Sequence, residues 1–167
     1  MSNVNELKDQ IGMKLWLFIV LAIFTGGIYP IMWLYRNNEI LERITKTQTV
    51  TKTYLIWMAV VASFMGSFYT GFVDLSRYRV TSDAEVVAVL FFLCFIALSV
   101  MYILWAFKAK KALEDYALNE LQINMKLNAA YTFFFTIFYI LYCVNDIPEQ
   151  HRRFEIIKAQ MAGNVQK

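Results

Sequence analysis

The sequence has little of what soluble catalysis requires. Among 167 residues there is one histidine, His151, and there are two cysteines, two prolines and six glycines. His151 stands beside Arg152 and Arg153, and there is no H-E-x-x-H, no phosphate-cradling glycine loop and no G-x-S-x-G. No catalytic residue, metal ligand set or cofactor is therefore assigned. Cys94 and Cys143 both lie in apolar sequence without CxxC or other ligand spacing, so they read as small buried hydrophobes, and a disulfide-stapled secreted domain is excluded. Sixteen basic and 13 acidic residues leave a net charge of +3, not the dense basic footprint that nucleic acid needs.

Charge is missing altogether from four stretches: Leu15–Tyr35, Tyr54–Val73, Val86–Phe107 and Leu127–Asn145, of 21, 20, 22 and 19 residues. At ~1.5 Å of rise per residue, about 20 apolar residues cross a ~30 Å hydrocarbon core. The apolar fraction is 59%, above the ~45–50% of soluble domains. The expected fold is an all-α polytopic membrane helical bundle in a single domain over residues 1–167. A soluble enzyme and a disordered chain are excluded. Lys8 and Lys14 precede the first apolar run as in a secretory leader, but no small-residue cleavage pattern follows, so that run reads as a retained membrane segment.

The first stretch is interrupted by Gly26-Gly27 and then Pro30. Proline removes the bond to the carbonyl four residues back, so a kinked span is the favoured reading. A re-entrant hairpin turning at the glycines is the alternative. The second stretch carries Ala59, Ser63, Ser67 and Gly71 every four residues, a small-residue face suited to packing against another helix of the chain or a second copy. Ser82 and Glu85 form a capping box before the third stretch. Neither glycine nor proline occurs between Gly71 and Pro148, so this helix is expected to run past Phe107 through 108–121 and protrude from the bilayer. Its Lys108, Lys110 and Lys111 can touch anionic head groups at ~1 kcal/mol per basic residue, besides serving as a topology signal. Segments 36–46, 108–121 and 149–162 read as amphipathic surface helices, with Glu39–Arg43, Glu42–Lys46 and Glu149–Arg153 spaced as i,i+4 pairs.

Lysine and arginine set sidedness. With four spans they divide 8 to 8 and favour neither orientation; if the first and fourth stretches both dip in and return, the split becomes 14 to 2, with only Arg77 and Arg79 outside. The apolar stretches hold no ionisable acid or base, which disfavours ion-coupled transport.

The run Thr25-Gly26-Gly27-Ile28-Tyr29-Pro30-Ile31-Met32-Trp33-Leu34-Tyr35 resembles the T-x-G-I-Y-x-x-x-W-x-Y signature of a bacterial family of small membrane proteins, domain of unknown function 4234. Trp105–Lys108, Lys111–Tyr116 and Ile140–Glu149 are similar to its C-terminal part. Pro30 departs from the family, which usually has glycine there. The resemblance implies an all-helical bacterial inner (cytoplasmic) membrane protein with no assigned activity, cofactor or catalytic residue. It also invites a role for Gly26, Gly27, Tyr29, Pro30 and Trp33 as a helix break with aromatic anchors. The expected function is a non-enzymatic interaction or accessory protein of scaffold, assembly or immunity-like type. Its partners would be the bilayer, anionic head groups, and a membrane protein or second copy. An oligomeric pore or carrier for a neutral or lipid-like substrate is the alternative.

Overall fold

A computed structural model describes residues 4–77 and 81–165, with side chains described at 4–71, 73–74 and 83–161. The chain forms α1 (Glu6–Ile11), α2 (Leu15–Phe24), α3 (Ile28–Thr45), α4 (Lys52–Arg77), α5 (Thr81–Asn119) and α6 (Ala129–Val165), with no strand among the described residues. Three stretches, Lys52–Gly71, Asp83–Asn119 and Ala129–Met161, are long and apolar enough to cross a membrane. This is an all-helical membrane protein.

The first apolar stretch is two helices rather than one kinked span. Gly26 (φ 59°) and Gly27 (φ 87°) are both left-handed, a conformation glycine adopts without steric penalty. The Gly27 N–H bonds the Ala22 carbonyl at 2.8 Å and the Gly26 N–H bonds that of Ile23 at 3.1 Å, the paired bonds of a Schellman stop. Thr25 then starts the next helix: its Oγ1 accepts from the Tyr29 N–H at 2.9 Å while donating to the Leu21 carbonyl at 2.7 Å. The chain reverses here. Phe18 and Trp33 stack edge to face at 5.7 Å, whereas 15 residues of unbroken helix would separate them by ~22 Å. Gln10 likewise meets Arg43, whose Nη2 donates to Gln10 Oε1 at 2.6 Å. The favoured kinked span is corrected to a helical hairpin. Pro30 causes no kink because it sits in the first turn of α3, where an N–H would have no intrahelical partner.

A second break lies inside α6. Thr136 has φ 39°, ψ −112°, and the helix turns sharply there. The Asn128 N–H reaches Tyr139 Oη at 3.0 Å, and the Tyr131 and Tyr139 rings lie 5.7 Å apart. A straight helix would put ~16 Å of rise between residues 128 and 139. Both arms of this elbow return to the same end of the molecule. The Leu127 N–H bonds Glu114 Oε1 at 2.8 Å, and Asn145 Nδ2 bonds the Met13 carbonyl at 2.8 Å.

Because a β-branched residue is strained at positive φ, Thr136→Gly is expected to stabilise the fold by about 1 kcal/mol. The same substitution in a continuous helix is instead destabilising, by roughly 0.3 kcal/mol, the difference between the two helix propensities. Gly27→Ala should do the reverse. No atom lies within 4 Å of an added Cβ there, so its cost is the backbone term alone, about 1–2 kcal/mol. Unfolding of both variants in detergent checks the opposite signs.

The packed mass is gathered at one end. In α5 the side chains of Trp105, Ala106, Ala109, Ala112, Leu113, Tyr116 and Ala117 are buried, while Val86, Val89, Phe92, Leu93, Phe95 and Ile96 are exposed. The unbroken 39 residues of α5 extend ~58 Å, so α4 and α5 leave the bundle as a bare helical pair. At the packed end, charged groups make tertiary pairs in place of two of the i,i+4 pairs expected within a helix. Glu39 pairs with Lys52 at 2.8 Å, and Lys46 pairs with Glu120. Glu149 does pair with Arg153, at 3.1 Å, and also with Arg152. Hydrogen bonding to Lys52, with its charge, holds the Glu39 carboxyl below its ordinary value. The Lys46 ammonium is held above its ordinary value in the same way by Glu120. The side chain of Ser82, and with it the proposed capping box, lies outside the described residues.

Candidate functional site

Two features stand out, a cleft and a buried polar network. The cleft, about 1330 Å³, lies between α3, α4, the middle of α5 and the Thr136 elbow. It runs from the Gly26–Gly27 turn to Arg36, and its walls are largely apolar, with Tyr29, Ser63, Ser67 and Tyr102 among its polar groups. The two backbone breaks, far apart in sequence, meet here. Phe18 bridges them, packing edge to face on Phe138 at 5.4 Å and on Tyr29 at 5.5 Å.

The network joins the end of α3, the 46–51 loop and α5. Asn38 is buried and uses its whole amide. Its Oδ1 accepts from Trp105 Nε1–H at 2.9 Å and faces Thr49 Oγ1 at 2.6 Å; its Nδ2 donates to Glu42 Oε1 and to the Val50 carbonyl, both at 3.0 Å. Glu42 Oε1 also accepts from the N–H groups of Thr49 and Val50 at 2.8 and 3.1 Å. Thr49 Oγ1 lies 2.8 Å from Glu42 Oε1 as well, so its single proton serves one acceptor at a time. No buried side-chain nitrogen or oxygen lacks a partner among the described residues. A fully satisfied network of this kind rigidifies the helices it joins.

The residues singled out from the sequence separate into three places. Gly26, Gly27, Tyr29, Pro30 and Trp33 come together at the hairpin turn and along its inner face. Trp33 is buried, and Tyr29 Oη reaches Met13 Sδ at 3.3 Å. Ala59, Ser63 and Ser67 are not packed on another helix of the chain but line the cleft. Only Gly71 faces α5, where an added Cβ would lie 3.6 Å from Val87. The expected packing within the chain is thus not seen for the first three, which are exposed, whereas Leu55 and Met58 of the same helix are buried in the core. Lys108 and Lys111 are exposed, whereas Lys110 turns toward Glu114 at 3.9 Å. His151 borders a polar groove formed with Val4, Asn5 and Lys8 of the N-terminal region. Among the described residues no three His, Cys, Asp or Glu side chains cluster to hold a metal.

Sequence reasoning missed Asn38, Glu42 and Thr49. A signal was present: two adjacent asparagines just beyond Arg36, which ends the apolar stretch, one helical turn past Trp33. Both are buried, and Asn37 Nδ2 bonds the Trp33 carbonyl at 2.8 Å.

Comparison with known proteins adds a family but no relative of known activity. No curated protein and no solved structure matches the chain. The profile of the domain of unknown function 4234 family matches residues 13–115. That span holds the hairpin, the network and the α4–α5 pair, and it leaves the Thr136 elbow and Ile140–Glu149 outside the match. With well over half of its length matched, the chain belongs to the domain of unknown function 4234 family.

Proposed function

We propose that this protein is a non-enzymatic membrane interaction protein, of scaffold, assembly or immunity-like type, seated in the bacterial inner membrane with its packed end in the cytoplasm. Only α4 and α5 cross; the α2–α3 hairpin and the α6 elbow enter from the cytoplasmic side and return. The ten residues of α2 reach ~15 Å, half of a ~30 Å core. In this placement 14 of the 16 lysines and arginines are cytoplasmic, as the positive-inside rule requires.

The observation that carries the reading is the gathering of every element except the far half of α4–α5 at one end. There the exposed apolar residues Leu118, Ile156, Ile157 and Met161 lie on helices that extend beyond the membrane. Apolar groups displayed to the aqueous side suit a protein partner or a second copy. A pore or carrier has less support. Discontinuous helices in transporters turn free backbone groups toward substrate, whereas the turn here pairs its amides with Thr25, Ala22 and Ile23.

A photo-crosslinking residue at Leu118 or Ile157, irradiated in native membranes, is expected to give one discrete protein adduct or a self-adduct. The same residue at Phe92 should give lipid adducts alone. Protein adducts at Phe92 with none at Leu118 and Ile157 would overturn the proposal.

A further inference from the structure

We infer that the cleft beside the hairpin turn retains one anionic phospholipid of the cytoplasmic leaflet, with its phosphate on Arg36 and its acyl chains lying between α3 and α4. The inference rests on the membrane placement proposed above. Arg36 is exposed at the mouth of the cleft, and among the described residues no carboxylate pairs with it. The nearest acid along its helix, Glu39, is taken by Lys52. A guanidinium left free at the head-group level is a matched partner for a phosphate, which it can hold through two parallel N–H···O bonds.

The dimensions agree with one leaflet. From Arg36 to Gly27 is nine residues of helix, or ~14 Å, close to the ~15 Å of half a hydrocarbon core. The deep end of the cleft is the Gly26–Gly27 turn, where a Cβ on either glycine would meet nothing within 4 Å. The volume of about 1330 Å³ exceeds the ~300–1,000 Å³ of ordinary small-molecule pockets, which suits a two-chain lipid. On the α4 wall Ala59 and Ser63 leave the room that larger side chains would fill.

Native mass spectrometry of the protein extracted in mild detergent, followed by titration with phosphatidylglycerol and phosphatidylethanolamine, tests this. The wild type is expected to retain one phospholipid and to take phosphatidylglycerol at least tenfold more tightly than phosphatidylethanolamine. Arg36→Gln should abolish that preference while still admitting lipid, and Ser63→Phe, which fills the groove, should lower occupancy by either lipid at least tenfold. Equal affinities in the wild type, preference retained in Arg36→Gln, or lipid undisturbed by Ser63→Phe would each overturn the site. So would a dimer crosslinked through Ser63, which would assign the cleft to a second copy. Each variant is also checked by thermal melting. If Ser63→Phe does not fold, Ala59→Leu serves as the groove-filling variant under the same criterion. Cysteine labelling decides the membrane placement separately, so a failed lipid site and a failed placement give different results.

Discussion

Asn38→Ala is expected to lower the unfolding free energy by about 2–4 kcal/mol, because a buried donor or acceptor left without a partner costs ~1–3 kcal/mol and this side chain serves several. Its removal orphans the indole N–H of a fully buried Trp105, the Val50 carbonyl and one of the contacts that fix Glu42. Trp105→Phe should cost less, about 1 kcal/mol beyond the packing change, because Asn38 Oδ1 keeps the Thr49 hydroxyl and only one bond is lost. The order Asn38→Ala worse than Trp105→Phe, measured by denaturant unfolding in detergent, checks that the amide is the hub. Equal losses would place the energy in indole packing instead.

Gly12→Ala is the second large effect. A Cβ at this position would lie 2.2 Å from the Lys8 carbonyl oxygen and 2.8 Å from Asn145 Oδ1, and the nearer atom is backbone, which cannot rotate aside. Forcing an atom into such a contact typically costs ~1–3 kcal/mol, and about 2–3 kcal/mol is expected here. The damage should be local as well as global. Gly12 is where α1 docks on α6, next to the bond from Asn145 Nδ2 to the Met13 carbonyl. Hydrogen exchange in α1 is therefore expected to accelerate more than exchange in α4 or α5. Gly66→Ala is the contrast: nothing lies within 4 Å of its Cβ position, so it should be neutral or slightly stabilising in a helix interior.

Much of the helical content was legible from the absence of charge. The stretch without glycine or proline after Gly71 foretold the continuous α5, but its 108–121 part, expected as an amphipathic surface helix, instead buries Ala112, Leu113, Tyr116 and Ala117 in the core. What misled was treating a spanning length as a span. Leu15–Tyr35 has the length to cross, but two consecutive left-handed glycines and the Thr25 hydroxyl close both helix ends within three residues, and that chemistry favours reversal over a kink. The elbow at Thr136 has no comparable signal: threonine is not a turn residue, and the contacts beside it, Tyr131 on Tyr139 and Phe138 on Phe18, are ones that sequence spacing cannot display. The equal 8 to 8 division of lysine and arginine that four spans would give was the one hint in the sequence toward the proposed two-crossing placement. The small residues of α4 repeat at helical spacing either way, so periodicity alone could not tell a packed face from a cleft wall.

In the proposed placement the chain crosses the membrane twice, with Asn5 and Met161 on the same side as the 46–51 and 120–128 segments. Single cysteines at Asn5, Asp83, Glu120 and Met161, in a chain with Cys94 and Cys143 replaced by serine, test it with a membrane-impermeant maleimide applied to intact cells and to opened membranes. With two crossings, Asp83→Cys alone is labelled in intact cells, and Asn5→Cys, Glu120→Cys and Met161→Cys react only after the membrane is opened. Labelling of Asn5→Cys and Met161→Cys from outside together with Asp83→Cys, while Glu120→Cys stays protected, would establish four crossings and contradict it.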